Sequence, residues 1–314
     1  MRRDSARYCV RGRTRDERNI YDGRRSKKEI TLTALERWQA QVRVSCEDRR
    51  ESEEQTWQRL AQWYDDWARH NDYVARVSPK LLACVNAESR VLEIGPGSGA
   101  FTAPLARAAK QIVALEPSAN MRRVLADKLD EAWCTNVRIV PRAVEDGLAE
   151  LDGEFDLAFA SHSLYNVEPI DQVMRALLRV ARRVVILMGT GDTQAWQHDL
   201  SVRFLGKPRV TPASFREFYP LLMEMGIYAD VEILPTSSNY VYESEDALLD
   251  WWQHQFRLAD TRRAELRAAL ARIAERRGDH IGIYSINRSA LMWIERERNL
   301  FRTDGVESSA QAMT

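Results

Sequence analysis

The pattern of apolar and polar positions predicts strands and helices that alternate through residue 191 of the chain. Five short apolar runs are typical of strands buried on both faces of a parallel sheet, and they lie at 91–94, 111–115, 137–140, 155–160 and 183–188. Between these runs, apolar residues recur every three or four positions, which predicts helices at 101–109, 118–131 and 169–181. This alternation predicts an α/β fold with a parallel, doubly wound sheet.

Two long helical segments interrupt the alternation in the second half of the chain. Residues 194–228 predict two short helices around Gly206–Pro208, and 243–277 are predicted to be mostly helical. Strand six is predicted at 229–234, and strand seven is predicted to begin at 281–286. Segments this long inside a compact domain usually carry function, so we expect a helical cap over a ligand pocket. Extra structural cover or a dimer interface is the alternative.

The region before the first strand is predicted to be helical at 30–59 and to continue into an aromatic stripe. The stripe spaces its members three or four positions apart, at Trp57, Leu60, Trp63, Tyr64 and Trp67. One interpretation is structural cover on a face of the sheet. The other is a lid over a bound ligand, in which Tyr64 or Tyr73 reaches the site.

A glycine-rich turn follows the first strand, and a helix starts from it. Gly95, Gly97 and Gly99 occupy alternate positions, which allows a sharp turn and lets a ligand lie against the main chain. The free N–H groups at the start of the helix then face that ligand. The second strand ends in Glu116, about 20 positions after Gly95, where an acid can accept hydrogen bonds from both ribose hydroxyls of a nucleoside.

Two classes of ligand fit this arrangement. Gly95, Gly97 and Ala100 satisfy the dinucleotide fingerprint, in which a pyrophosphate lies on the helix N-terminus. However, Glu93 precedes the first glycine by two residues, and its negative charge opposes a pyrophosphate. A carboxylate at this position suits an ammonium or sulfonium group. S-adenosylmethionine carries both groups together with a ribose, so Glu93 favours it over a nicotinamide dinucleotide.

The pattern Glu93-x-Gly95-x-Gly97-x-Gly99 resembles the glycine motif of class I S-adenosylmethionine-dependent methyltransferases. Leu115–Ser118 resembles their second motif, and the resemblance extends from Ser89 to Met188. It implies S-adenosylmethionine as the cofactor. It also implies a Rossmann-like seven-stranded sheet, mostly parallel, with helices on both faces and an antiparallel last strand. To that fold this chain is expected to add its helical cap.

The resemblance also implies a set of cofactor-binding residues. They are Glu93, Gly95, Gly97, Gly99, Glu116, Val144, Glu145 and Ser161. In similar methyltransferases, the loop after strand three packs an apolar side chain on the adenine, and an adjacent acid accepts a hydrogen bond from the exocyclic amine. Val144 and Glu145 match these two roles. A shift of the alignment by one residue would give the roles to Ala143 or Asp146.

The loop at 161–167 is expected to face the transferred methyl group, because ligands of open parallel sheets bind at the carboxyl ends of the strands. His162 is the candidate general base there. Its alternative role is to hydrogen-bond the backbone or to line the pocket. Weaker candidates are Tyr165, Asn166, His198 and His254. The loop lacks the Asn/Asp-Pro-Pro-Tyr/Phe sequence of amino-directed nucleic-acid methyltransferases and the Pro-Cys dipeptide of cytosine-C5 enzymes.

Composition narrows the classes of partner and compartment. The chain has 46 basic and 46 acidic residues, so no global field attracts nucleic acid or a membrane. Its 4 cysteines form no C-x-x-C pair, and no metal site is expected. Free thiols predict a cytoplasmic location. No apolar run approaches the length of a membrane span, and the N-terminus lacks the apolar core of a secretion signal.

Local charge separates one region from the rest. Residues 1–28 contain eleven basic and four acidic residues and predict a disordered basic arm. A solvated tail is the simpler interpretation, and contact with RNA or an acidic partner is the alternative. The predicted segments are the arm at 1–28, an N-terminal helical cap at 29–83, a cofactor-binding core at 84–191, the rest of the core with helical insertions at 192–302, and a disordered tail at 303–314.

These features predict an enzyme that moves a methyl group by in-line displacement to a small-molecule acceptor. The helical cap, the aromatic clusters and the neutral net charge favour this class of acceptor. A methyltransferase of RNA or protein is one alternative, supported by the basic arm alone. A non-catalytic module that binds S-adenosylmethionine is another, and Glu93 disfavours a nucleotide oxidoreductase. The sequence leaves open the acceptor atom, the need for a base and the oligomeric state.

Overall fold

A computed structural model describes residues 32–48, 63–151, 153–192 and 194–299 of the chain. Its strands are β1 Arg90–Ile94, β2 Gln111–Leu115, β3 Val137–Val140, β4 Phe155–Ser161, β5 Ala181–Gly189, β6 Asp230–Ser237, β7 Tyr240–Tyr242, β8 Glu275–Arg277, β9 His280–Ile283 and β10 Ile286–Glu295. The main sheet has seven strands in the order β3-β2-β1-β4-β5-β10-β6. A small second sheet has the order β7-β9-β8.

The main sheet is parallel across β1 to β5, because the helices between these strands return the chain to the same edge. The strand β10 runs antiparallel between β5 and β6. The predicted Rossmann-like sheet, mostly parallel with an antiparallel last strand, is therefore confirmed. The strand order reverses at β1, which has β2 on one side and β4 on the other. A crevice for ligands opens at such a reversal, at the carboxyl ends of the strands.

Helices cover both faces of this sheet. They are α1 Ala34–Asp48, α2 at 63–69, α3 Tyr73–Leu82, α4 Thr102–Ala108, α5 Ala119–Glu131, α6 Val144–Gly147, α7 Ile170–Val180, α8 Ala195–Leu205, α9 Phe215–Glu224, α10 Glu245–Phe256, α11 Arg263–Leu270 and α12 Arg296–Asn299. One hydrophobic cluster joins α1, α7 and α9 to the sheet, and another joins α3 and α4 to it. The fully buried Trp38 donates its indole N–H to the Val167 carbonyl at 2.7 Å, which ties α1 to the loop after β4.

The predicted start of strand seven at 281–286 is wrong. Its first half, 281–283, belongs to β9, which pairs with β7 and β8 in the small sheet. Strand seven of the main sheet is β10, where Ser289 to Met292 are buried one after another, as a strand covered on both faces must be. The helical prediction at 243–277 fails at its end for the same reason, because Glu275–Arg277 form β8 against β9. Strand six extends past its predicted end to Ser237.

Several predictions fall on residues outside the described ranges. They are the basic arm at 1–28, the tail at 303–314 and the start of the aromatic stripe at Trp57 and Leu60. The predicted helix at 30–59 is described only as far as Asp48, and Ala34–Asp48 is helical. Among the helices of the described residues, none has the length and apolar character that crossing a membrane requires.

Candidate active site

The glycine turn after β1 is fixed to the ends of two neighbouring strands. The Gly95 N–H donates to the Leu115 carbonyl at 2.8 Å, and the Ser163 hydroxyl donates to the Ile94 carbonyl at 2.6 Å. Gly95 has φ +61°, a conformation that side chains disfavour. A Cβ atom at Gly95 would lie 2.5 Å from the Cβ of Ser163, so only glycine fits between the two loops.

Glu116 closes the turn from the end of β2. One oxygen of its carboxylate accepts from the Gly97 N–H at 3.1 Å, and the other accepts from the Ser118 N–H at 2.9 Å. The side chain is buried, and these bonds hold its carboxylate beside the turn. A Cβ atom built on Gly97 would meet no atom of the described residues within 4 Å, so among them space for a ligand lies directly against the main chain.

Glu93 is the second acid at this turn, and its charge is poorly compensated. The side chain is 3% exposed, and its Oε2 has no hydrogen-bond partner among the described residues. Burial raises the pKa of Glu93 to about 7, and the neighbouring Glu116 carboxylate makes a smaller contribution to this rise. Two buried carboxylates side by side suit a cationic ligand, because its charge relieves their repulsion. They do not suit a pyrophosphate.

These acids line a cavity of about 360 Å³, which we call the cofactor cavity. The structure brings six predicted site residues together on its wall: Glu93, Gly95, Gly97, Glu116, Ser161 and His162. Other wall residues come from the ends of the same strands, including Pro117 and Met121 after β2. The cavity thus lies at the carboxyl ends of β1, β2 and β4, where the sheet order reverses.

Three predicted cofactor-binding residues lie off this wall. Gly99 faces α5, where a Cβ atom would come within 2.5 Å of Leu125. Val144 is buried in the hydrophobic cluster on one face of the sheet, and Glu145 is exposed on α6. The roles of Val144 and Glu145 towards an adenine stay predictions.

His162 begins the loop after β4 in an unusual conformation. It has φ +53°, and its backbone N–H donates to the Leu187 carbonyl at 2.8 Å. A residue other than glycine in this region is strained and is retained where surrounding structure holds it, often at functional sites. Burial lowers the pKa of His162 to about 4, so its imidazole is neutral at physiological pH.

The hydroxyl of Tyr165 contacts the Nδ1 atom of the His162 imidazole. That hydroxyl oxygen lies 2.5 Å from His162 Nδ1 and accepts from the Gly189 N–H at 2.8 Å. Burial raises the pKa of Tyr165 well above its usual range, so the hydroxyl keeps its hydrogen. A hydroxyl that accepts from Gly189 and donates to Nδ1 satisfies both groups. The imidazole hydrogen then lies on Nε2.

Aromatic side chains from the N-terminal helices complete the cofactor cavity. Tyr64, Trp67 and Tyr73 line it. The ring of Tyr73 packs at 5.7 Å from Trp67 and at 5.7 Å from His162, measured between centroids. Edge-to-face and tilted aromatic contacts of this kind stabilise packing beyond the area they bury. The described end of the aromatic stripe therefore lies at the site. Because Tyr73 and Trp67 also belong to the hydrophobic cluster on one face of the sheet, the lid and the structural cover both stay predictions.

A second cavity of about 240 Å³ lies next to the first, and we call it the polar cavity. The two cavities share Trp67, Tyr73, His162 and Tyr165. The rest of the polar cavity is lined by Gly189, Gly191, Asp192, Gln197, Arg209, Thr211, Pro212, Ser214, Thr236, Ser237, Ser238, Tyr240, Asn287, Arg288 and Ser289. The weaker candidates His198 and His254 are exposed and line neither cavity.

Apart from the four residues shared with the cofactor cavity, none of the residues that line the polar cavity was predicted from the sequence. They come from β5, the loops around α8, and the strands β6, β7 and β10, which lie far apart along the chain. None of them belongs to a spaced motif. The only signal was indirect: the helical segment at 194–228 was long enough to suggest a pocket beside the core.

Known protein families include one whose sequence model matches the segment around the glycine turn. A family model described as a methyltransferase domain matches residues 92–188. This segment starts within β1 and ends within β5. It therefore contains the glycine turn, Glu116 and the loop that carries His162.

Individual relatives match parts of the chain. An uncharacterized methyltransferase of Bacillus velezensis is 37% identical over 81 residues, which are 22% of this chain and 38% of the relative. The ribosomal RNA small subunit methyltransferase A of Geobacillus thermodenitrificans is 28% identical over 167 residues, which are 51% of this chain and 52% of the relative. The chain thus spans about half, or less, of the length of these curated relatives.

A solved structure, that of the YcgJ protein from Bacillus subtilis, is similar to this chain with a TM-score of 0.49 and 16% identity. The match covers 71% of this chain and 99% of that one. Residues 92–188, with their glycine turn and parallel strands, are thus similar to a methyltransferase domain, and S-adenosylmethionine is the cofactor of such domains.

Proposed function

We propose that the chain transfers the methyl group of S-adenosylmethionine to a small-molecule acceptor. The observation that carries the proposal is the wall shared by the two cavities, where His162 and Tyr165 lie. A cofactor in the cofactor cavity and an acceptor in the polar cavity would meet at this wall. A cavity of about 240 Å³ lies just below the usual size of pockets for drug-sized ligands, so a small acceptor is the second ligand that it has room for.

In this proposal the two buried acids recognise opposite ends of the cofactor. Glu116 accepts from the ribose hydroxyls, and Glu93 lies near the ammonium and sulfonium groups. Gly95 and Gly97 allow the ligand to approach the main chain, and Ser161 borders it at the end of β4. The open space at Gly97 and the unpartnered oxygen of Glu93 support this fit.

Bound S-adenosylmethionine supplies a methyl group that its sulfonium has already activated. The residues of the chain then have to align the acceptor and exclude water. Alignment of this kind can contribute about 7–11 kcal/mol to a reaction. The aromatic rings of Trp67 and Tyr73 stand on both cavities and shield the shared wall from solvent.

His162 is proposed to contact the acceptor at that wall. With the Tyr165 hydroxyl donating to Nδ1, the Nε2–H is a donor that orients the acceptor. General base catalysis at Nε2 needs the other tautomer, in which Nδ1–H donates to the Tyr165 oxygen. Because the pKa of His162 is about 4, either role predicts a turnover that does not change as pH passes through the ordinary histidine range near 6.5.

An RNA acceptor is the second candidate, and the similarity to ribosomal RNA small subunit methyltransferase A supports it. The loop at 161–167 lacks the Asn/Asp-Pro-Pro-Tyr/Phe sequence expected for amino-directed transfer to nucleic acid. Removal of residues 1–28 separates the two candidates. Methylation of ribosomal or transfer RNA that disappears with the arm, while cofactor binding persists, would replace the small-molecule proposal.

A non-catalytic module is the third candidate, and it predicts a blocked space beside the sulfonium. Trp251 and Trp252, adjacent tryptophans of α10, are the candidates to block it. Trp251 stacks on Trp63 at 4.5 Å, Trp252 packs on Trp196 at 5.4 Å, and neither lines either cavity. Their position supports an enzyme over a binding module.

We also propose the cytoplasmic location expected from the sequence. The cysteines of the described residues, Cys46, Cys84 and Cys134, are all free thiols. Free thiols persist in reducing compartments. Fractionation of cells that express the full chain would test this, and recovery with an oxidising compartment would contradict it.

The cofactor assignment is tested by calorimetric titration with S-adenosylmethionine, S-adenosylhomocysteine and NAD. We expect micromolar binding of the first two and none of NAD. Glu116→Ala is the matched variant, and we expect it to lose most of the binding. Tight NAD binding, or no binding of any of the three, would overturn the proposal.

A further inference from the structure

We propose that the acceptor carries a carboxylate and that Arg209 binds this group in the polar cavity. The inference rests on the proposed transfer to a small molecule and adds the chemical class of that molecule. The charged side chains on the cavity wall, apart from His162, are Asp192, Arg209 and Arg288. Of these, Arg288 is paired with Asp192, so among the described residues the charge of Arg209 is the one left for a ligand to neutralise.

The negative charge of Asp192 is already used within the protein. Its carboxylate accepts from the Thr190 hydroxyl at 2.9 Å, from Arg216 at 2.6 Å and from Arg288 at 3.4 Å. These partners lower the pKa of Asp192, with the Thr190 hydrogen bond as the first cause. Because two guanidinium groups surround it, Asp192 does little to repel an anion that enters the cavity.

Arg209 differs from its basic neighbours in the same loop region. Lys207 pairs with Asp48, and Arg216 pairs with Asp192. Within the described ranges, no carboxylate lies within ion-pair distance of Arg209. Its guanidinium instead donates to the Gln197 side chain. The Gln197 amide in turn donates to the Tyr240 hydroxyl at 3.0 Å.

This chain of hydrogen bonds orients a cation without neutralising it. A guanidinium has five N–H donors in a fixed plane, and Gln197 takes one of them. The remaining donors match the two oxygens of a carboxylate in a bidentate pair. The backbone near Arg209 is also held, since the Thr211 carbonyl accepts from Gln41 of α1 at 2.5 Å.

The cavity offers further donors and apolar faces around that charge. The Asn287 oxygen accepts from Gln194 at 2.6 Å, and its amide nitrogen has no hydrogen-bond acceptor among the described residues. The rings of Trp67, Tyr73 and Tyr240 form the apolar part of the wall. A flat apolar body that ends in a carboxylate complements both parts. Arg209 carries one positive charge, which a carboxylate neutralises, whereas a phosphate ester carries nearly two negative charges.

The test uses the full chain saturated with S-adenosylhomocysteine and titrated with matched probes. The acids are benzoate and indole-3-acetate, the neutral controls are benzamide and indole-3-acetamide, and phenyl phosphate is the dianionic probe. We expect the acids to bind about tenfold or more tightly than their amides. Arg209→Ala should abolish that preference. Arg209→Lys should retain part of it, because it keeps the charge and loses the planar fork.

Arg107→Ala is the matched control, because Arg107 is an exposed arginine on α4 that lines neither cavity. Thermal unfolding of each variant shows whether it folds, and Arg209→Lys keeps the test valid where Arg209→Ala does not fold. Equal binding of acids and amides, tighter binding of phenyl phosphate, or no binding of any acid overturns the inference. The binding of S-adenosylhomocysteine to the unaltered chain is measured first. If the unaltered chain does not bind it, the proposed function is overturned instead.

Discussion

The cofactor cavity and the polar cavity share one wall but are assembled differently. Most of the cofactor cavity comes from three short segments that follow β1, β2 and β4, at 93–101, 116–121 and 161–166. The polar cavity draws on β5, the loops around α8, and three strands outside the first five. A cavity made by strand ends follows from the fold itself. A cavity made by segments added to the sheet can differ between proteins of the same fold, and so can the ligand that it binds.

The two cavities also differ in charge. Two buried carboxylates, Glu93 and Glu116, stand on the cofactor cavity, whereas Arg209 and Arg288 stand on the polar cavity. The first set favours a cationic ligand and the second an anionic one. Variants that act on one cavity alone can therefore break this comparison or sharpen it.

His162→Ala is expected to give the largest effect, because the side chain lies on the shared wall. Turnover should fall about 100-fold or more, in the range that proton transfer or positioning by a single side chain supplies. The affinity for S-adenosylhomocysteine should stay near that of the unaltered chain. Single-turnover kinetics and calorimetry measure the two quantities. His198→Ala, at an exposed histidine, is the control, and unchanged turnover in His162→Ala would remove this residue from the mechanism.

Glu116→Ala should act on the cofactor cavity alone, with an effect of about 10- to 100-fold on the dissociation constant of S-adenosylhomocysteine. Hydrogen bonds to a charged group contribute about 1.5–3 kcal/mol, which sets this range. Glu150→Ala removes an exposed carboxylate outside both cavities and serves as control. If both variants bind with equal affinity, Glu116 does not hold the ribose.

Tyr165→Phe should lower turnover about tenfold, less than His162→Ala does. The change removes the hydroxyl that contacts His162 Nδ1 and leaves the Gly189 N–H without its acceptor. The imidazole then loses its fixed tautomer. The pH profile of turnover at saturating cofactor distinguishes this role from simple packing, since the freed imidazole should titrate at a different pH. An unchanged profile together with reduced turnover would mean that Tyr165 only packs.

Glu93 predicts a smaller, pH-dependent effect. With a pKa of about 7, only about a tenth of the carboxylate is ionised at pH 6, so a cationic ligand should bind several-fold more weakly there than at pH 7.5. Glu93→Gln should remove this dependence. The same pKa is higher than in the unfolded chain, so its contribution to stability is complete below about pH 4.5 and is lost as pH rises through 7.

Calorimetry at the two pH values and thermal unfolding without ligand check both effects. Glu93→Gln should flatten the fall in unfolding temperature of the ligand-free protein above pH 6. Affinity that falls between pH 6 and 7.5 in the unaltered chain would contradict the proposed contact with a cation.

The fold was predictable where local pattern and topology agree. The run at 111–115 became β2 with the same bounds, and the run at 91–94 became β1, which starts one residue earlier at Arg90, because strands buried on both faces are mostly apolar. The run at 281–286 was wrongly predicted to begin strand seven of the main sheet. A short strand of the small sheet has a pattern of apolar residues similar to that of a strand of the main sheet. Position in a sheet depends on pairing between distant segments, and β10 pairs with β5 about 100 residues earlier.

The sequence by itself determined the glycine turn and the acid at the end of β2, because both depend on residues close together along the chain. Only the tertiary structure decided which residues form the polar cavity, that Tyr165 lies on His162, and that Arg209 has no carboxylate partner among the described residues. Charge neutralisation and cavity shape depend on side chains brought together from segments far apart in sequence. No spacing along the chain records those contacts.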